Sequence, residues 1–275
     1  MKRLLLLLSL LLPLYALAQP AAIVEGVQSP AWVERDGRRI PLQPGMELRA
    51  GDRVFTGQGS RALFKLAEGS LVKLGENGNL NFTTLSPTQE VFRAAMRVLE
   101  GAFRFTTDVA AKQRRRDVNI TVATVTAGIR GTDLWGRSRE DTQIVCLIEG
   151  EIEVGAEGEK PVVMNQPLQF YQRVKGQTQP VGLVDPKQLA QWATETEFVP
   201  GRPSTRRGGR FTAQLAAVDS QNEALAVYDR ARDAGYPAEI APARDGDKIR
   251  YVVRIRNLPS KAEADALVAE LKTRI

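Results

Sequence analysis

TVATVTAGIRGTDLWGRSREDTQIVCLIEGEIEV, residues 121–154, contains two runs rich in β-branched and apolar side chains, Thr121–Thr126 and Gln143–Ile148. Between them, Ala127–Gly128–Ile129–Arg130–Gly131–Thr132 holds two glycines that tolerate φ > 0, which predicts that the chain doubles back there. Gly150 predicts a further turn, leading into the alternating pair Ile152 and Val154. The stretch belongs inside a β framework, and the flanking text supplies one. Ala31–Val33 and Ile40–Leu42 flank Asp36–Gly37, a two-residue hairpin signal, and more turns are marked by Pro44–Gly45 and Ala50–Gly51–Asp52. Short alternating runs from Ile23 onward predict an all-β domain over residues 23–182.

Two internal echoes bear on its architecture. Leu63–Ser70, LFKLAEGS, is repeated in kind by Leu71–Gly78, LVKLGENG, and this is either a hairpin or two rungs of a coil. Val98–Phe105, VLEGAFRF, is echoed by Leu147–Val154, LIEGEIEV, each with Glu-Gly before an alternating strand. Reuse of one strand-turn unit predicts a roll or a solenoid-like stack, although Glu-Gly turns are also common between unrelated strands. Glu90–Leu99 fits a helix by spacing and a strand by context, and periodicity alone leaves both open.

The chain opens with Lys2 and Arg3, an apolar run Leu4–Leu12, Pro13 and then Ala16–Leu17–Ala18, the layout of a secretory signal cleaved after Ala18. An uncleaved membrane anchor is the competing reading, but the run is short for a bilayer span. No later run reaches membrane-spanning length, so no transmembrane segment is expected in the mature chain. With 275 residues, 43% hydrophobic and 25% charged, the chain suits about two globular domains. It has no His and one cysteine, Cys146, set between Val145 and Leu147 in an apolar strand. The commonest metal ligand and general base is thus missing, and neither an enzyme nor a cofactor nor a metal site is expected. A net charge of +6 would point to nucleic acid in a cytosolic protein, whereas export points to anionic envelope polymers or membrane surfaces and not to nucleic acid. The basic runs Lys112–Arg116 and Arg206–Arg210 read as a solvated loop and a linker.

With those residues in view, residues 121–154 resemble the central signature of the FecR domain, a periplasmic module, through Thr126, Arg130, Gly131, Thr132 and the Gly150 turn into Ile152 and Val154. Pro44–Ser60, PGMELRAGDRVFTGQGS, resembles that family's opening, with Gly51, Asp52, Thr56 and Gly57 at the matching positions. The resemblance implies a periplasmic location and an envelope protein or polymer as partner. For Arg130, Gly131 and Thr132 a structural role in the turn outweighs a ligand role. Asp133 is expected to cap the turn rather than to pair with Glu140, and Trp135 suits core and contact surface equally.

Asp185–Glu197 contains a helix-like run starting at Pro186, and Pro200–Gly209 is rich in Pro, Gly and Arg. Residues 183–209 therefore read as a short helix followed by a flexible linker. Beyond it, Phe211–Val218, Tyr236–Ala243 and Lys248–Arg256 read as strands, and Ser220–Ala234 and Ser260–Lys272 as helices with capping-box starts. Strand parity places Phe211, Ala213, Leu215, Tyr251, Val253 and Ile255 on a helix-covered face, leaving an open polar face. This small α+β, ferredoxin-like βαββα unit over 210–275 resembles the SPOR domain, a peptidoglycan-binding module, with Gln214 at the family's first-strand glutamine. Ala216, Val252 and Arg256 depart from the family's usual glycine, arginine and glycine, and the family's last strand has no counterpart before Ile275. The resemblance implies that glycan strands lie across the open face, with Gln214, Arg250 and Arg254 bonding to sugar hydroxyls and acetamido groups.

Overall fold

A computed structural model describes residues 20–87, 91–107, 115–129, 131–246 and 248–274. The expected signal segment 1–18, Arg130 and residues 112–114 of the first basic run lie outside the described residues. In chain order the first part forms β1 (Ala22–Gln28), β2 (Ala31–Arg35), β3 (Arg38–Pro41), β4 (Glu47–Leu48), β5 (Arg53–Thr56), β6 (Arg61–Leu66), β7 (Leu71–Leu74), β8 (Asn79–Pro87) and β9 (Val91–Thr106). There follow β10 (Arg115–Val122), β11 (Val125–Ile129), β12 (Asp133–Arg139), β13 (Thr142–Glu149), β14 (Ile152–Ala156), β15 (Val162–Met164), β16 (Gln169–Val174), β17 (Gln177–Thr178) and β18 (Gly182–Leu183). Helix α1 (Pro186–Thr194) and β19 (Thr205–Arg206) come next, and then β20 (Phe211–Val218), α2 (Gln221–Asp233), β21 (Glu239–Asp245), β22 (Lys248–Leu258) and α3 (Lys261–Arg274).

Two sheets pack face to face. The front sheet runs β1–β6–β7–β9–β12–β13–β16, with β4 and β19 on the outer edge of β1. The back sheet runs β3–β2–β5–β8–β9–β10–β11–β14–β15. Between them lies one core that includes Val24, Phe64, Phe82, Met96, Phe105, Ile120, Leu134 and Val154, with Phe64 set edge-on to Phe82 at 5.6 Å. Pairing is antiparallel except between β9 and β10, so the body is a two-layer roll rather than a stack of parallel rungs.

Of the stretch Glu90–Leu99, residue 90 lies outside the described residues and 91–99 are part of the long strand β9, which serves both sheets: Ala94–Val98 pairs with β8 and β10, and Gly101–Thr106 with β12. The crossing falls at Glu100–Gly101, and the echoed Glu149–Gly150 takes the chain from β13 in the front sheet to β14 in the back sheet. Both glycines have positive φ, 89° and 92°, so the repeated Glu-Gly is a corner between layers. The other echo is a hairpin, with Phe64 opposite Val72 in β6 and β7. Asp36–Gly37 makes the expected two-residue turn, both residues at positive φ.

The expected reversal at 127–132 is displaced. The chain turns at Ala123–Thr124 and runs through Gly128 as the interior of β11; of the two glycines only Gly131 has positive φ. Periodicity misplaced the turn because Ala123, at φ 51°, is a residue type that gives no turn signal.

The flexible linker expected over 183–209 is corrected as well: this segment is a strap packed on the outer face of the front sheet. Trp192 of α1 stacks on the fully buried Trp135 with centroids 5.0 Å apart and planes 13° from parallel. Glu195 pairs with Arg137 at 2.6 Å, and Glu197 with Lys73 at 2.6 Å. The Gln28 side chain, 2% exposed, donates to Val199 O and Arg202 O and accepts from Val199 N. Thr205 and Arg206 then add to β1 opposite Val27 and Gly26. Composition missed this because the segment's partners lie some 60 to 180 residues away in sequence.

The C-terminal sheet has the order β20–β22–β21, antiparallel throughout, with α2 and α3 contributing Ala224, Ala231, Leu267 and Leu271 to a core with Ala213, Val253 and Ile255. Of the two expected capping boxes neither closes reciprocally. Ser220 makes no side-chain cap bond, while Ser260 Oγ accepts from Glu263 N but the Glu263 carboxylate turns to Ser204 N and Oγ instead. That contact, with Ala31 N donating to Gly235 O, joins the helical side of this unit to the β body.

Candidate functional site

Strand alternation and one row of side chains define the open face of the C-terminal sheet. Gln214 of β20 lies opposite Arg254 of β22, and Arg254 lies opposite Glu239 of β21, so the three stand in one cross-strand row. Arg254 Nε donates to Glu239 Oε1 at 2.8 Å, and Arg256 Nε lies 3.0 Å from the same oxygen. One carboxylate thus faces two guanidinium groups and leaves the row cationic. Gln214 and Arg256 are exposed, and Arg254 and Glu239 half-buried. The contacts to the β body fall on the helical side, so this face stays open to solvent.

Of the residues expected at the site, Gln214 and Arg254 are brought together. Arg250 shares their face but stands four residues along β22, roughly 13 Å away at strand rise. There it donates from Nε to Asp219 Oδ1 at 3.1 Å and from Nη2 to Ala217 O at 2.8 Å. Two further members were absent from the expected set. Glu239 was legible from parity, being opposite in phase to Ile240, and Arg256 follows from the same alternation as Arg254. Strict alternation fails along β20, where the ladder is irregular between Phe211 and Ala213 and between Gln214 and Ala216. As a result Leu215 and Ala216 both lean on the core, and Phe211, expected inside, is 43% exposed. Tyr251 packs toward the core as expected. The row offers guanidinium N–H donors, an amide that donates and accepts, and a carboxylate acceptor, a set matched to hydroxyl and amide groups on a flat ligand.

Two residues of the opening motif, Asp52 and Thr56, are structural. Asp52, 1% exposed, takes Arg35 Nε at 2.7 Å and Nη2 at 2.6 Å and caps the turn by accepting from Arg49 N. Those bonds hold the Arg35 guanidinium above its ordinary pKa. Thr56 Oγ1 donates to Gly75 O and accepts from Gly78 N, tying two loops. Asp133 does not cap the turn but pairs with Arg104 through two bonds, 2.9 and 2.7 Å. Cys146 is buried beside Trp135 under the strap, and burial pushes its thiol up to about 12. Among the described residues no group of three or more His, Cys, Asp or Glu side chains is placed to hold a metal ion.

Comparison with known proteins agrees with this division. Residues 52–153 match the FecR protein family and residues 208–275 match the SPOR domain family. The chain therefore carries a FecR domain within its β body and a C-terminal SPOR domain. No curated protein matches it. Two crystal structures, at 1.65 and 2.50 Å, of a proposed anti-sigma factor from Parabacteroides distasonis ATCC 8503 align over 80% of this chain and 91% of theirs, with TM-score 0.43 and 13% identity. No helix among the described residues is long and apolar enough to cross a membrane.

Proposed function

We propose that this is an exported, periplasmic, non-enzymatic binding protein whose SPOR domain holds peptidoglycan glycan strands while its FecR domain engages an envelope protein or polymer. The observation that carries the reading is the solvent-open row Gln214–Arg254–Glu239 with Arg256, on a sheet that matches a SPOR domain. Absence of His from the sequence, with a single buried cysteine, supports a role without chemistry. In this reading a signal segment 1–18, the β body 23–182 and the strap 183–209 precede a C-terminal domain over 210–275, and the SPOR match over 208–275 supports the last of these. Glycan held by one domain keeps the other domain near the wall, so modest affinity suffices. Arg250, four residues along β22 from that row, contributes less than Arg254.

The full chain should co-sediment with purified sacculi, and more so after an amidase has removed the peptide stems. Gln214→Ala and Arg254→Ala should each reduce the pelleted fraction, and Arg250→Ala should reduce it less. A chain that stays in the supernatant with amidase-treated sacculi would exclude this reading. The FecR match supports a second reading, a component of an envelope signalling system. Recovery of one stoichiometric envelope protein on the immobilised chain, without sacculus binding, would favour it.

A further inference from the structure

The outer face of the back sheet holds an open groove of about 620 Å³ crossing β9, β10, β11 and β14 and sharing no lining residue with the C-terminal row. Its floor is small and polar: Thr121 and Thr126 sit side by side with their hydroxyls 3.1 Å apart, next to Asn119 and Gly128. We infer that this groove binds a short extended peptide bearing a free carboxylate and a free amine.

Three observations carry this. The first is Gly128, which lies mid-strand with no positive φ. A Cβ added there would meet nothing nearer than Asn119 Oδ1 at 3.6 Å and Glu153 O at 3.9 Å. Neither backbone geometry nor internal packing asks for glycine, and a strand interior is a poor place for it. What a glycine does provide in such a position is room for a ligand or another backbone to approach closely.

The second is the charge. Arg97 stands at one end of the groove and Glu153 and Glu157 at the other, all exposed, and among the described residues none of the three is in an ion pair. On the front sheet, by contrast, Lys73, Arg104 and Arg137 are each matched by carboxylates. Arg97 and Glu153 are three strand spacings apart, roughly 15 Å, which an extended chain of about four residues spans. Opposite charges at that separation suit a ligand with opposite charges at its two ends. Among the described residues no aromatic ring lines the groove.

The third is a built rim. Arg173, reaching over from β16, donates from Nη1 to Thr124 Oγ1 at 3.0 Å and stands 3.6 Å from Glu159 with Nη2. It thereby fixes both turns that border the groove, Ala123–Thr124 and the 157–161 connection. Glu159 is held further by Thr178 at 2.6 Å and Tyr171 at 3.1 Å.

The test uses the full chain, labelled with ¹⁵N, titrated with tetra-alanine having free ends, with its acetylated and amidated form, and with chitotetraose. The free-ended peptide should shift the amide signals of Thr121, Thr126 and Gly128. Blocking its ends, or the variants Arg97→Gln and Glu153→Gln, should weaken binding about tenfold or more. Gly128→Val should abolish binding with an unchanged thermal melt; if it unfolds, the two exposed charge variants still decide. Silence of these amides at millimolar free-ended peptide, equal binding of the blocked form, or chitotetraose binding in the groove would each overturn the inference. The groove is separate from the C-terminal row, so failure of sacculus binding leaves this result standing, and the reverse holds.

Discussion

Replacing Gln28 by alanine should release the strap without unfolding the body. The Gln28 side chain bridges β1 to the strap by three hydrogen bonds, to Val199 O at 2.9 Å, to Arg202 O at 3.2 Å and from Val199 N at 2.9 Å. Each is internal and each partner is a backbone group that would be left without it, so at about 1 kcal/mol apiece the loss is about 3 kcal/mol. That corresponds to a more than hundredfold rise in the fraction of molecules with residues 196–206 detached. Amide hydrogen exchange followed by mass spectrometry reads this directly. Peptides covering 196–206 should lose protection by about that factor, while those covering β10, β11 and β14 should keep theirs. Gln28→Leu, which restores bulk without bonds, should behave like Gln28→Ala. Unchanged protection of the strap in Gln28→Ala, or full rescue by leucine, would refute the assignment of its hold to this amide.

Other consequences are measurable. Trp192→Ala removes the ring stacked on Trp135 and should cost about 2 kcal/mol, seen as a lower Tm together with loss of near-ultraviolet circular dichroism. Cys146 should be inert to a thiol reagent in the folded protein at pH 8 and react stoichiometrically once guanidinium unfolds it, because burial both shields it and keeps it protonated. Glu68 is 2% exposed with neither carboxylate oxygen hydrogen-bonded, and desolvation raises its pKa despite Ser70 and Arg116 nearby. The folded state therefore favours the protonated form, and stability falls as pH rises through the ordinary carboxylate value of 4.5 toward the raised one. Glu68→Gln should accordingly raise Tm by a few degrees at pH 7 and by nothing at pH 4, and an equal gain at both would refute the charge argument.

Local pattern alone was enough to determine the class of each half. Alternation and Gly-containing turns announced a β body, and the helix at Pro186 and both C-terminal helices followed from the spacing of their apolar residues, because these signals depend on neighbours within a few residues. The open polar face was legible for the same reason, since parity along β22 fixes the side of Arg250, Arg254 and Arg256. What tertiary structure alone decided are the relations between distant segments. Glu-Gly became a corner because β13 and β14 belong to different layers, and proline and arginine near residue 200 became a packed strap because Gln28 and Lys73 wait for it on the body. Glu263 carried a capping signal and was taken instead by Ser204. A carboxylate or backbone carbonyl has several partners of similar local merit, and only the assembled fold determines which of them comes within hydrogen-bonding distance.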